Sequence, residues 1–165
     1  MTARCSTTFV SWFASPLGLL WIQHDGHFIL SVDYIRLGQS VDWSQAKDLP
    51  ESWQQAFSDY FSGETTALAA LPIRLDIGTV FQRDVWLALQ QIPAGTTWTY
   101  AKLAKHIGRP KAIRAVGQAL SKNPLSIVLP CHRVIRQSGE LGGYAGNSDV
   151  GRARKQFLLW HECGF

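Results

Sequence analysis

Ile127-Val128-Leu129-Pro130-Cys131-His132-Arg133-Val134 is the stretch on which the reading of this chain turns. Three apolar residues closed by a proline predict a short buried strand that stops at Pro130. The residue just past such a stop sits in a turn, where its side chain can face a cleft. Here that residue is Cys131, and His132 follows it. A thiol becomes a nucleophile when a base or a cation stands near it, so the stretch reads as a reactive cysteine on a rigid support. The competing reading is a cysteine acting as a small buried hydrophobe, and this short run alone does not separate the two.

The chain has 165 residues, 46% of them hydrophobic. That is enough for one domain or two small ones around a real core, and too apolar for a disordered chain. No apolar run approaches the length of a bilayer span. Residues 1–8 lack the apolar segment of a signal peptide, so a cytoplasmic location is expected, or a nuclear one in a eukaryote. Cys5, Cys131 and Cys163 are odd in number and widely spaced, with no Cys-x-x-Cys pair. They predict neither a disulfide framework nor a zinc site. His24, His27 and His161 bring no partner set for a metal and are expected at or near the surface. Charge is unevenly spread. Residues 1–78 carry four basic and eight acidic residues, a net of −4; residues 79–165 carry twelve and four, a net of +8. Such asymmetry points the second half toward a polyanion.

Phe9 to Phe13, Leu19 to Gln23 and Phe28 to Val32 predict three strands, joined at Ser15-Pro16-Leu17-Gly18 and at Asp25-Gly26. Residues 38–50 predict a loop. Trp53, Ala56, Phe57 and Tyr60 share one side of a helix from Ser52 to Phe61, which Gly63 ends. Residues 65–78 predict a linker with a short strand around Ile73. Thr79 and Gln82 give a capping-box start, followed by the apolar stripe Phe81, Val85 and Leu89. Two further helices, Thr99-Tyr100 to Ile107 and Lys111 to Ser121, are joined through Gly108 and Pro110 as a helix-turn-helix. The second buries Ile113, Val116 and Leu120. Ala112, Ala115, Gly117 and Ala119 keep it slim, and Arg114 is its one long cation. A slim helix suits a narrow groove or close helix packing.

Taken in order, several segments resemble the O6-alkylguanine-DNA alkyltransferases, also called methylated-DNA–protein-cysteine methyltransferases. They are Thr79-Val80-Phe81-Gln82-Arg83 with Val85-Trp86, Ile92-Pro93-Ala94-Gly95, Thr99-Tyr100, Arg114-Ala115-Val116-Gly117 and Asn123-Pro124. Ile127 to Val134, Gly143-Tyr144, and Leu158-Leu159 with His161-Glu162 complete the set. The resemblance spans residues 79–164 and extends weakly into the first half through Ser15 to Gly18 and Tyr60-Phe61-Ser62-Gly63. It implies an α/β N-terminal domain with a ribonuclease-H-like sheet over residues 1–78. A mostly α C-terminal domain with a winged helix-turn-helix, residues 79–165, would follow.

The activity implied is direct-reversal repair. An alkyl group would pass from O6-alkylguanine, or from O4-alkylthymine, in flipped-out double-stranded DNA to Cys131, once and irreversibly. His132 and Glu162 would activate the thiol by lowering its pKa, and Asn123 would tie the recognition helix to the active-site turn. Arg114 would fill the place of the flipped base, with Tyr100, Thr99 and Ala115 on the DNA. Tyr144, Val134, Ala145 and Lys155 would form the base pocket. The implied protein is a monomer that uses no cofactor, enters the minor groove and touches no membrane. A non-catalytic damage-binding relative is the alternative, but proteins of that kind carry tryptophan in the place of Cys131. A helix-turn-helix regulator needs no Cys-His-Glu set, and a lone redox thiol leaves Arg114, Asn123 and Tyr100 unexplained. The stretch from Ala145 to Arg154 is about four residues longer than the usual spacing of the resembling family. It reads as a long rim loop that would alter the alkyl size accepted.

Overall fold

The computed structural model describes residues 7–36, 38–44, 46–145 and 148–163. Cys5 and the Gly146-Asn147 part of the rim loop lie outside the described residues. Three antiparallel strands, β1 (Phe9–Ser15), β2 (Gly18–His24) and β3 (Ile29–Tyr34), form a meander in the order β1-β2-β3. Alternation sets its faces. Leu20, Ile22, Ile29, Val32 and Tyr34 point to the core, while Trp12 and Leu19 remain on the outer face. Helix α1 (Glu51–Phe61) lays Trp53, Phe57 and Tyr60 against the inner face. Phe57 meets Phe13 and Trp53 meets His24, with ring centroids 5.3 and 5.5 Å apart.

His24 is buried rather than at the surface. Ser11 Oγ donates to the Lys47 carbonyl at 2.7 Å and so accepts from His24 Nε2 at 2.8 Å. The Gly26 amide donates to His24 Nδ1. Both ring nitrogens are thus used within the core by a neutral imidazole, and burial lowers its pKa accordingly.

Each edge of the sheet is met by another segment, which shortens the open strand edge. Lys47 donates to Val10 on the β1 side. On the β3 side, Ile29 pairs with Ile73, and Val32 pairs with Leu125 of the second half. The segment 65–78 is more structured than a linker: Ala67–Ala70 forms a 3-10 turn that buries Leu68.

In the second half, α2 (Val80–Ala88) starts with a complete Thr79/Gln82 capping box. Helices α3 (Tyr100–His106) and α4 (Ile113–Ser121) are joined by the turn at 107–112. Helix α4 begins three residues beyond Pro110, and its first residue, Ile113, is exposed. Val116, Ala119 and Leu120 supply the buried side instead. Trp86 is buried between α2 and α4 and donates its indole N–H to the Ala119 carbonyl at 2.8 Å. Short strands β4 (Trp98–Thr99) and β5 (Val134–Ile135) pair in parallel, and α5 (Asp149–Cys163) closes the chain. Residues 149–154 are therefore helical rather than loop.

The apolar run Ile127-Val128-Leu129 is buried but is not a strand. Ile127 has φ of 71°, which breaks the extended conformation, and Leu129 donates back to the Leu125 carbonyl. A buried, β-branched residue in that region marks stored strain, the kind held at functional sites.

Trp86→Phe removes the one donor that links α2 to the Ala119 carbonyl and leaves a small void. It is expected to lower stability by about 1–3 kcal/mol, read as a lower urea midpoint with an unchanged m-value.

Candidate active site

Cys131 opens a 3-10 turn, Cys131–Arg133, directly after the strained segment. The turn is held from below by Asn123. Its Nδ2 donates to the Leu129 carbonyl at 2.9 Å, and its Oδ1 accepts from the Leu125 amide at 3.0 Å. One side chain at the end of α4 thus clamps both limbs of the turn. Pro124, which restricts the Asn123 backbone, presents its carbonyl to Val32 of β3.

The turn faces a cleft of about 590 Å³, within the usual range of small-molecule sites. Cys131, Tyr100, Tyr144, Ala145, Gly143 and Arg114 line it, together with one side of α4. Tyr100 fits where Gly142 lets it. Gly142 has φ of 70°, and a Cβ there would lie 2.7 Å from the tyrosine hydroxyl. Thr99 is the N-cap of α3, accepting from the Lys102 amide, and does not line the cleft. Ala115 is exposed on α4 and does not line the cleft. Val134 and Lys155 lie behind the wall: the fully buried Lys155 donates from Nζ to the Val134 carbonyl at 2.6 Å and toward Gly143.

On the far side of Cys131 sits a buried charge cluster. His132 Nε2 lies 2.8 Å from Glu162 Oε1. Arg133 grips the same carboxylate twice, at 2.7 and 2.9 Å, and a third donor of the guanidinium reaches the Ile92 carbonyl. Tyr60 of α1 adds its hydroxyl to Glu162 Oε1 at 2.7 Å. Burial alone would push the Glu162 carboxyl up. The hydrogen bonds from His132 and Arg133 outweigh it and hold the group well below the usual carboxylate range.

An ionised carboxylate only accepts, so His132 Nε2 carries the proton in this pair. Burial keeps the imidazole neutral against the pull of Glu162. Its Nδ1 is therefore a bare acceptor. It is also the one buried side-chain nitrogen or oxygen among the described residues with no hydrogen-bond partner. A neutral base with one nitrogen locked and the other free is able to take a proton.

The thiol itself departs from the expected lowering. Burial pushes Cys131 up, against the Asn123 hydrogen bond and the nearby charge of Lys155. Burial in turn draws Lys155 down to about 8. The resting group is a thiol rather than a standing thiolate. Among the described residues no group of three or more His, Cys, Asp or Glu side chains could hold a metal ion.

Arg133 and Tyr60 were not singled out from the sequence. Arg133 had a signal, since it adjoins His132 in the opening stretch. Tyr60 had none beyond its place on the buried side of α1, because its target lies 102 residues away.

Residues 80–164 match the family model described as the 6-O-methylguanine DNA methyltransferase DNA-binding domain. A methylated-DNA–protein-cysteine methyltransferase of Salmonella typhimurium is 39% identical over 170 residues, covering 90% of this chain and 92% of that protein. The protein of the same description from Mycobacterium leprae is 42% identical, covering 88% and 86%. The chain belongs to the methylated-DNA–protein-cysteine methyltransferase family. The fold agrees with this membership. The O6-methylguanine methyltransferase of Mycobacterium tuberculosis superposes with a TM-score of 0.78 at 36% identity, over 95% of this chain and 93% of that one. The structure of Mycobacterium tuberculosis OGT in complex with DNA gives 0.77 at 37% identity, over 94% and 92%. The mixed α/β architecture is thus that of these family structures.

Both buried groups make the fold sensitive to acid. His132 has a folded pKa below its ordinary 6.5, so its contribution is present above that value and is lost as pH falls through it. Glu162 is lowered from 4.5, so its contribution persists to lower pH and is lost below that value. Stability is expected to fall in two stages, below pH 6.5 and again below 4.5. In urea titrations across pH 2–8, Glu162→Gln should lose the second stage.

Proposed function

We propose that the protein repairs alkylated DNA by direct reversal, moving an alkyl group from guanine O6, or thymine O4, onto Cys131. The observation that carries this reading is the juxtaposition at one turn: a cleft-facing thiol, a neutral histidine with a free Nδ1, and an ionised Glu162 that locks its other nitrogen. His132 takes the thiol proton through Nδ1. The sulfur attacks the alkyl carbon, an S–C bond forms as the C–O bond breaks, and the base takes up a proton to leave as the normal nucleobase. A thioether has no facile leaving group, so each molecule acts once.

DNA enters from the α4 side. The exposed face of α4 carries Arg114, Ala115 and Gln118 and has small residues at Ala115 and Gly117. That profile suits the minor groove, with the recognition helix belonging to a winged helix-turn-helix and β4-β5 near its base. The target base must leave the stack, at a few kcal/mol. Arg114 at the cleft rim fills the vacated place, and Tyr100 and Thr99 turn the phosphate backbone. Tyr144 and Ala145 then wall the flipped base, with Val134 and Lys155 supporting that wall from behind. The basic residues 79–165 form the DNA-binding and transfer unit, and residues 1–78 form a ribonuclease-H-like unit that braces it. The protein acts as a monomer, in the cytoplasm or in a eukaryotic nucleus.

Intact mass after incubation with a duplex containing one O6-methylguanine tests the reading. The wild type should gain one CH₂ unit and Cys131→Ala none, since the thiol is the only acceptor proposed. Tight lesion binding with no gain would move the protein to the damage-binding class. Arg114→Ala should slow transfer from the duplex about tenfold to a hundredfold by impairing base flipping, while the rate with free O6-benzylguanine stays near that of the wild type.

A further inference from the structure

Helix α5 begins with residues that the family spacing left unassigned, and Arg154 within them reaches the N-terminal sheet. Its guanidinium carbon stands 3.9 Å above the ring of Tyr34, and its Nε donates to the Leu17 carbonyl at 3.1 Å. Leu17 lies in the turn between β1 and β2, so one arginine joins three separate segments. Tyr34, at the end of β3, is almost fully buried. Its hydroxyl meets the hydroxyl of Tyr144 at 3.1 Å, and the two rings stand edge-on at 71°. Tyr144 in turn meets the His132 ring edge-on, with centroids 6.2 Å apart, and lines the cleft beside Cys131. Tyr34 does not line the cleft.

Two hydroxyls in contact share one hydrogen bond, and the second hydrogen is left over. The direction decides where that hydrogen points. A cation over a phenol ring draws electron density from it, which makes its O–H the better donor of the pair. Arg154 sits over Tyr34 alone. We infer that Arg154 and Tyr34 form a relay in which Tyr34 donates to Tyr144, so that the Tyr144 hydroxyl hydrogen is presented to the alkylated base in the cleft. Tyr34 and Arg154 are then positioning residues of the N-terminal sheet and of the extended α5. Tyr144 is the residue that touches the substrate. This rests on the alkyl-transfer reading above.

Single-turnover rates on a duplex with one O6-methylguanine test the relay, measured for Tyr34→Phe, Arg154→Met, Tyr144→Phe and the double Tyr34→Phe/Tyr144→Phe, each with its melting temperature. Tyr34→Phe and Arg154→Met should each slow transfer about fivefold to tenfold, the scale of one hydrogen bond, with DNA affinity unchanged. The double variant should be no slower than Tyr144→Phe alone, because the two hydroxyls act in series. An unchanged rate in Tyr34→Phe, additive losses in the double, or losses that follow the melting temperature instead of the cycle would overturn the relay. Absence of transfer by the wild type in the same assay would instead remove the reading on which the relay rests.

Discussion

A carboxylate taken out of water must be met by donors on every side, or its burial costs several kcal/mol. Glu162 is met by four hydrogen bonds from three residues: Tyr60 of α1, and His132 and Arg133 of the active-site turn. Much of the site depends on that requirement. It draws the C-terminal helix, the helix on the sheet and the cysteine turn to a single point. Arg133 supplies the compensating charge, so His132 need not. This frees the histidine to stay neutral, and a neutral histidine with its Nε2 proton pinned offers its Nδ1 as a base. Burial is the larger cause of that neutrality, and the Arg133 charge adds to it.

The sheet contributes more than a scaffold. The outer edge of strand β3 receives the segment after α4, through Val32 with Pro124 and Ser126. The cysteine turn thus hangs from the edge of a sheet built from the first half of the chain. Asn123 stiffens the same turn from within. Ile127 can be held at a positive φ only because both anchors over-determine its backbone. The apolar core accordingly runs without a break from Leu20 and Phe57 through Ile127 and Leu129 to Leu158.

Local chemistry made much of this legible in advance. The meander, α1 and the capped start of α2 follow from alternation, from the apolar stripe of Trp53, Phe57 and Tyr60, and from the Thr79/Gln82 pair. Each is a short-range signal that tertiary packing reinforces. What stayed hidden was long-range or depended on conformation. Ile127 to Leu129 has the composition of a strand, and only the positive φ of Ile127, imposed by surroundings distant in sequence, turns it into a buried bend. Ile113 fits the periodicity of α4 but precedes the point where that helix meets α2, so it stays in solvent. Asp149 to Arg154 reads as loop because Gly151 and the charges dilute its pattern. His24 looked unremarkable because its partners, Ser11 and the Lys47 carbonyl, come from other strands and loops. At the site, Cys131, His132 and Asn123 stand close in the chain and could be read together, whereas Tyr60, Tyr34 and Arg154 join only through the fold.

On the proposed reading, the raised pKa of Cys131 suits a nucleophile that is used once. A standing thiolate is open to oxidation and to any stray electrophile, and susceptibility follows thiolate character and exposure. Each such event would remove a whole molecule from service. Burial of Cys131 keeps the sulfur protonated at rest. On the proposed reading, His132 takes up the proton through Nδ1, the nitrogen that Glu162 leaves unbound. In the proposed transfer, ionisation would wait until an electrophilic carbon fills the cleft and the developing negative charge passes onto the departing base. In the meantime the charge of Lys155 and the hydrogen bond from Asn123 offset part of the desolvation of the sulfur without forcing ionisation. On this view the reactivity lies in the assembled complex rather than in the free thiol, and the depth of the turn is what separates the two.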